Sequence, residues 1–196
     1  MENKIITKEE YKEWVINYLQ TNNIKLSEVE VKNFLMLCIT HNLNPLKGEI
    51  YAIKYKDKFN VITNYYIYLK KADETGLLDY YNIDIKTNDN GVPTGIGTFV
   101  GKRKDQSKEI TMKFFFNEWR PKFTGSLWDT KPYFMFEKCI LANGLRRMFP
   151  NELGNMPYVN EELWYQNSLN EQIIEEHVEN DNGNLIELLK EDDNND

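Results

Sequence analysis

Three cationic side chains interrupt a largely apolar stretch, residues 137–150, which reads EKCILANGLRRMFP. They are Lys138, Arg146 and Arg147. On a helix, the separation of Lys138 and Arg146 corresponds to about 12 Å along the axis. Because an unpaired buried cation costs several kcal/mol, each of these groups needs an anion. Two sources of that anion stay open: carboxylates of the same chain, or the phosphates of a bound ligand.

Other cations of the chain are interleaved with aromatic residues. Tyr65 opens a tyrosine-rich segment that ends at Lys70 and Lys71, and Lys102 and Arg103 follow another aromatic residue closely. Cations that neutralise a phosphate backbone, next to rings that stack on bases, are typical of single-strand nucleic-acid binding. We therefore predict that Tyr65 contacts DNA, although sheet packing is the favoured explanation for any one of these rings taken singly.

The charge of the chain is divided unevenly along its length. The formal net charge is −7, yet residues 171–196 contain ten acids and one base, which leaves 23 bases and 21 acids before them. We predict a DNA-binding core over residues 1–165, including the N-terminal helices, and a flexible acidic tail over residues 166–196. A slightly basic body with an acidic end fits a polyanion-binding domain. A solvated globule with a solubilising end is the alternative.

Several chemistries find little support in the sequence. Cys38 and His41 form half of a zinc-binding pattern, but Cys139 and His177 have no matching spacing. No GxxxxGK[ST] loop for nucleotides occurs. A nucleophile–base pair would need His41, which lies in a predicted turn, or His177, which lies in the acidic tail, so this chemistry is also disfavoured. We accordingly expect no catalytic residues, no metal and no cofactor.

The cellular location of the protein is predicted from its apolar segments and cysteines. No apolar run approaches the roughly 18 residues of a membrane span, and the first residues, MENKIITKEEYKEW, lack the apolar centre of a signal peptide. Both cysteines lie in apolar surroundings, which argues against a disulfide framework. We expect a cytoplasmic protein without a membrane partner.

The elements that must position these groups follow from local patterns. Thr7 and Ser27 each precede a glutamate by three residues, so both predict helix starts by the capping-box pattern. Alternation over residues 50–63 predicts a β-hairpin. A helix is expected from about Tyr65 to Glu74, further strands around residues 81–86, 97–102 and 109–116, a loop over residues 124–132, and a helix over residues 132–149 that Pro150 ends. This order predicts an α+β fold, an antiparallel β-sheet with packed helices.

Two ordered motifs resemble one family, the RecT/Bet phage recombinases, which are single-strand annealing proteins. The first motif covers residues 34–77, with the segments LNP, GEIYAI and VIT before a helix that ends KKADETG. The second covers residues 127–154, LWDTKPYFMFEKCILANGLRRMFPNELG, followed by Tyr158 and the acidic pair Glu161 and Glu162. With the strands between them, the likeness extends over roughly residues 31–162.

The resemblance implies a fold shared with Rad-type annealing proteins and assembly into a homo-oligomeric ring or helical filament. It implies ATP-independent binding of single-stranded DNA by its phosphates, annealing of complementary strands in phage recombination, and action within a bacterial host. A phage 5'-3' exonuclease and the host single-strand binding protein are the partners that it suggests. The alternatives are a passive single-strand binder and a metal-dependent nuclease.

The motif positions also imply DNA contacts. Lys138 and Arg146 match the motif's own cations, whereas the match of Lys102 and Arg103 is looser. Trp128 matches the motif tryptophan, for which packing is the expected role. Glu137 departs from the family pattern and offers Lys138 a carboxylate. The expected DNA-binding cations are Lys138, Arg146, Arg147, Lys70, Lys71, Lys102 and Arg103.

Overall fold

Two N-terminal helices begin at the capping boxes that the sequence predicts. The computed structural model describes residues 6–55, 58–121 and 126–162. Helix α1 (Lys8–Thr21) starts after Thr7 and α2 (Glu28–His41) after Ser27. In both, the hydroxyl accepts an N–H of the first turn and a glutamate accepts the cap's own N–H, so the orphan donors at the helix start are satisfied locally.

A β-hairpin and a helix follow, as predicted. Strands β1 (Ile50–Tyr55) and β2 (Lys58–Thr63) pair antiparallel, and α3 (Tyr65–Glu74) begins two residues after β2. The hairpin is a two-stranded sheet of its own. Its second strand also forms a parallel bridge with a distant segment, because the N–H of Thr63 donates to the carbonyl of Tyr158 at 3.0 Å.

The predicted strands in the middle of the chain form a separate antiparallel sheet, in the order β3–β4–β5. They are β3 (Leu78–Thr87), β4 (Pro93–Arg103) and β5 (Ile110–Phe115). Strands β3 and β4 are longer than the predicted ranges, residues 81–86 and 97–102, because the pairing of β3 with β4 continues from Leu78 to Thr87. Together with the helices, these sheets confirm the predicted α+β fold.

The long helix α6 (Pro132–Met148) packs against one face of this sheet. Gly144 lies so close to Phe99 of β4 that a Cβ atom at residue 144 would meet the ring at 2.3 Å. Gly97 of β4 lies equally close to Ile140 of α6. Most apolar residues of α6 are buried, so this helix is part of the core.

Short helices depart from the predicted loop and helix end. The expected loop over residues 124–132 contains α5 (Leu127–Thr130), where Ser126 and Asp129 form a capping box that the sequence interpretation missed. After the turn α4 (Phe116–Trp119), α5 places Trp128 in the core against Phe116. Pro150 does not only end α6; it also begins α7 (Pro150–Leu153), since proline suits the first helical position.

The described part of the chain ends in a 3₁₀ turn, Asn160–Glu162. The predicted boundary at residue 165 and the acidic tail over residues 166–196 lie outside the described residues. That division of the chain therefore stays a prediction.

Candidate nucleic-acid interface

Lys138 is held by a carboxylate and two aromatic rings. Its Nζ lies 2.7 Å from a carboxylate oxygen of Glu161. The same atom lies 4.3 Å from the ring centre of Phe134 and 5.1 Å from that of Tyr65, which are cation–π distances. The partner is thus Glu161 of the 3₁₀ turn and not Glu137, the neighbour that the sequence suggested.

Lys138 forms part of a cleft between α3, β3 and α6 with a volume of about 530 Å³. The cleft is rich in aromatic side chains, and the rings of Tyr65 and Phe134 meet edge to face at 84°. Phe134 is 42% exposed and Tyr66 41% exposed, so both side chains are partly accessible from solvent. The lining residues are Tyr65, Tyr66, Leu69, Tyr81, Asn82, Ile83, Phe134, Glu137, Lys138 and Leu141.

Arg146 is engaged inside the protein. Its Nη1 and Nη2 each lie 3.2 Å from a different carboxylate oxygen of Glu162, and Nη2 also donates to the hydroxyl of Tyr68. The side chains of Arg146 and Glu162 are 12% and 1% exposed. Burial alone would lower the pKa of Arg146, but the charge of Glu162 and these hydrogen bonds raise it. Arg146 therefore ties α6 to α3 and to the 3₁₀ turn.

The ion pair of Arg146 belongs to a larger buried network. Glu162 also accepts hydrogen bonds from the amide of Asn143 and, at 3.0 Å, from the N–H of Val159. The hydroxyl of Tyr68 donates to the carbonyl of Pro157 at 2.8 Å, and burial raises the pKa of Tyr68. The sequence left open whether the anions of Lys138 and Arg146 come from the chain or from a ligand. In this structure, internal carboxylates pair with both cations.

Lys70 and Lys71 lie on α3, the helix that carries Tyr65. Nζ of Lys70 is 2.7 Å from the carboxylate of Glu49, yet the lysine side chain remains 49% exposed. This hydrogen bond raises the pKa of Lys70. Lys71 pairs with Glu74 at 3.2 Å and is less exposed. Of the two, Lys70 presents more of its charged side chain to solvent.

The cations at the end of β4 point in opposite directions. Arg103 is buried, pairs with Asp105 at 2.8 Å and lies over the ring of Phe149 at 4.8 Å. Its hydrogen bond to Asp105 raises the pKa of Arg103. Lys102 pairs with Asp79 at 3.4 Å. Because side chains alternate across a strand, Lys102 lies on the face of the sheet that α6 does not cover.

Arg147 is the exposed cation at the end of α6. Its guanidinium lies 5.9 Å from the ring centre of Phe114, and no carboxylate pairs with it within residues 6–55, 58–121 and 126–162. Arg147 is nine residues from Lys138, about half a turn around the helix at the α-helical repeat. The two cations consequently face different sides of α6.

The structure thus brings together only part of the expected site. Tyr65 and Lys138 meet at one cleft, with Lys70 and Lys71 on the same helix as Tyr65. Arg146 and Arg103 are internal, and Lys102 and Arg147 lie on other surfaces. The sequence interpretation missed the cleft residues Phe134 and Tyr81 and the pairing roles of Glu161 and Glu162, although the acidic pair was visible as part of the second motif.

Comparison with known protein families defines the class of this chain. A model of the RecT family matches residues 9–181, a span that includes both motifs and most of the chain. No curated protein matches the chain. Together with the α+β fold, the family match defines a protein of phage recombination by single-strand annealing. The chain belongs to the RecT family, which confirms the resemblance found in the sequence.

Proteins of the RecT family share several general properties. RecT proteins bind single-stranded DNA, form oligomers and are generally not catalytic. Among the described residues, no helix is both long and apolar enough to cross a membrane. The same part of the chain contains no group of three histidine, cysteine or acidic side chains placed to hold a metal ion.

Proposed function

We propose that this protein binds single-stranded DNA and anneals complementary strands without ATP or another cofactor. The match of the RecT family over residues 9–181 carries this proposal. The cleft supports it, because the partly exposed rings of Phe134 and Tyr66 beside the ammonium group of Lys138 suit a single strand. Base pairing itself supplies the free energy of annealing, so the protein needs only to reduce phosphate repulsion and hold the strand extended.

We assign the expected contacts to two roles. Cations that keep solvent-exposed charge, Lys70, Lys102 and Arg147, are proposed to contact phosphates. Lys71 is proposed to support Lys70 on the same helix, and Tyr65 with Lys138 to contact the strand at the cleft. Arg146 and Arg103, both engaged internally, are proposed to act as positioning residues for the elements around the cleft.

An annealing assay tests the proposal against its alternatives. Two complementary labelled oligonucleotides are mixed without any nucleotide cofactor, with and without the protein, and a non-complementary pair serves as control. Faster formation of intact duplex supports annealing. Protection of single strands without acceleration would favour a passive single-strand binder. Strands shortened in Mg²⁺ but intact in a chelator would favour a nuclease.

The assembly and partners of the protein are part of the same proposal. We propose a ring or helical filament that acts in the cytoplasm of a bacterial host, encoded by a phage or prophage. A phage 5'-3' exonuclease and the host single-strand binding protein are the proposed partners. Negatively stained images with and without single-stranded DNA test the assembly, and single isolated subunits in both samples would contradict it.

A further inference from the structure

Glu161 and Glu162 are neighbours in the 3₁₀ turn, but the protein holds their carboxylates differently. Glu162 accepts hydrogen bonds from the side chains of Arg146 and Asn143 and from a backbone N–H. Within the described residues, the carboxylate of Glu161 has one hydrogen-bond partner, the ammonium group of Lys138 at 2.7 Å. Several donors therefore fix Glu162, whereas a single donor holds Glu161.

Lys138 lies between two cavities. Its side chain lines the cleft of about 530 Å³ and also a smaller cavity of about 120 Å³. Glu161 lines the smaller cavity, whereas the described residues that line the cleft do not include it. An anion that enters the cleft thus reaches the ammonium group from a side that Glu161 does not occupy. The smaller cavity gives the Glu161 side chain space to move away.

The ammonium group of Lys138 has support that does not depend on Glu161. Its Nζ lies 4.3 Å from the ring centre of Phe134 and 5.1 Å from that of Tyr65. A cation over ring faces is stabilised by their quadrupoles, and an ammonium has three N–H donors. These rings therefore hold the ammonium group at the edge of the cleft whichever anion binds it.

We propose that Glu161 is an internal competitor of DNA for Lys138. Its carboxylate binds the ammonium group in the free protein, and a phosphate of the bound single strand replaces it there. Carboxylate and phosphate oxygens both accept charge-assisted hydrogen bonds from lysine, so one substitutes for the other. The proposal rests on the proposed function, because it names the residue that opposes one of the expected phosphate contacts.

The exchange limits what Lys138 adds to the affinity for DNA. A phosphate gains the ammonium group only when the ion pair with Glu161 breaks, so the two contacts largely offset each other. The salt dependence weakens for the same reason, because the freed carboxylate attracts a cation in place of the one that the phosphate releases. When the strand leaves, Glu161 pairs with Lys138 again, which favours release.

The salt dependence of binding tests the proposal. A fluorescent oligothymidine is bound to the full-length protein and to Glu161→Gln, and anisotropy is measured at several salt concentrations. We expect Glu161→Gln to bind about ten-fold more tightly at low salt, the range of one hydrogen bond to a charged group. The slope of log Kobs against log salt concentration should steepen by about 0.7, because Lys138 then contributes a full contact.

Two further variants assign this gain to the ion pair. Glu118→Gln removes an exposed carboxylate on α4 and should change the affinity by less than about two-fold, because salt screens an exposed charge. Lys138→Gln combined with Glu161→Gln should lose both the tighter binding and the steeper slope. Urea unfolding checks that each variant folds. Should Glu161→Gln not fold, Glu161→Asp keeps the charge with a shorter reach and should bind more tightly by a smaller factor.

The results that overturn the proposal differ from those that overturn the proposed function. Equal affinity and slope for the unaltered protein and the folded Glu161 variant would overturn the competition. Weaker binding by that variant would also overturn it and would make Glu161 a positioning residue for Lys138. A gain of the same size in Glu118→Gln would assign the effect to net charge. In all these cases the unaltered protein binds the strand, whereas failure of every form to bind it would overturn the proposed function itself.

Discussion

The carboxylate of Glu162 binds Arg146 through both Nη atoms, each at 3.2 Å from a different oxygen. Both side chains are largely withdrawn from solvent. This two-point contact links α6, which carries much of the second sequence motif, to the 3₁₀ turn Asn160–Glu162. A cation that the motif alone would assign to DNA is therefore part of the internal structure.

Replacing Arg146 should destabilise the protein. Arg146→Gln leaves the buried carboxylate of Glu162 without its cation, and loss of one partner of a buried pair costs about 3–5 kcal/mol. Urea unfolding of the variant and the unaltered protein measures this loss. Arg147→Gln, on the exposed side of the same helix, is the matched control and should change the free energy of unfolding by less than about 0.5 kcal/mol. A stable Arg146→Gln protein with weaker DNA binding would make Arg146 a direct contact.

Replacing Arg147 should change DNA binding instead of stability. If Arg147 contacts one phosphate, Arg147→Gln should reduce the slope of log Kobs against log salt concentration by about 0.7, the value for one contact on a single strand. Fluorescence anisotropy at several salt concentrations gives the slope. Lys12→Gln, an exposed cation on α1, controls for net charge. Equal slopes for the unaltered protein and Arg147→Gln would remove Arg147 from the interface.

The pair of Glu49 and Lys70 should make stability depend on pH. Burial by itself raises the pKa of Glu49, but the ammonium of Lys70 and the N–H of Asn44 lower it overall below 4.5. The folded protein thus binds the proton less readily than the unfolded chain. The stabilising contribution of Glu49 is complete above pH 4.5 and is lost as the pH falls through the lowered pKa.

A comparison of variants across that range isolates the effect. The gap in free energy of unfolding between the unaltered protein and Glu49→Gln should narrow as the pH falls from about 6 to about 3. Urea unfolding at each pH measures the gap, and Glu13→Gln on the exposed face of α1 is the control. A gap that stays constant would show that the ionisation of Glu49 contributes nothing to stability.

Adding a methyl group at Gly144 should separate α6 from the sheet. The new Cβ would meet Cδ2 of the buried ring of Phe99 at 2.3 Å. We expect Gly144→Ala to lower the free energy of unfolding by about 1–3 kcal/mol through overpacking, in spite of alanine's higher helix propensity. Urea unfolding checks the loss. Phe99→Leu in the same chain should relieve part of it, and strictly additive effects would argue against this contact.

Local signals in the sequence predicted much of the fold. The capping boxes at Thr7 and Ser27, the hairpin and the helix from Tyr65 to Glu74 were all confirmed, because neighbouring residues determine caps, turns and periodicity. Strand ends were less predictable, since pairing with another strand sets them. The short helix Leu127–Thr130 was missed although Ser126 and Asp129 carried its capping signal.

The candidate site, like the fold, was only partly predictable from the sequence. By itself, the sequence determined most of the longer elements and the family of the chain. It also showed that Lys138 and Arg146 need anions, because burial on an apolar helix makes an unpaired charge costly. Only the tertiary structure determined the identity of those anions. Glu161 and Glu162 lie 23 and 16 residues beyond the cations that they bind, and no local rule specifies a pairing at that distance. The same packing brings Tyr65, Phe134 and Glu137 to one cleft, since α3 and α6 become neighbours only when both cover the core.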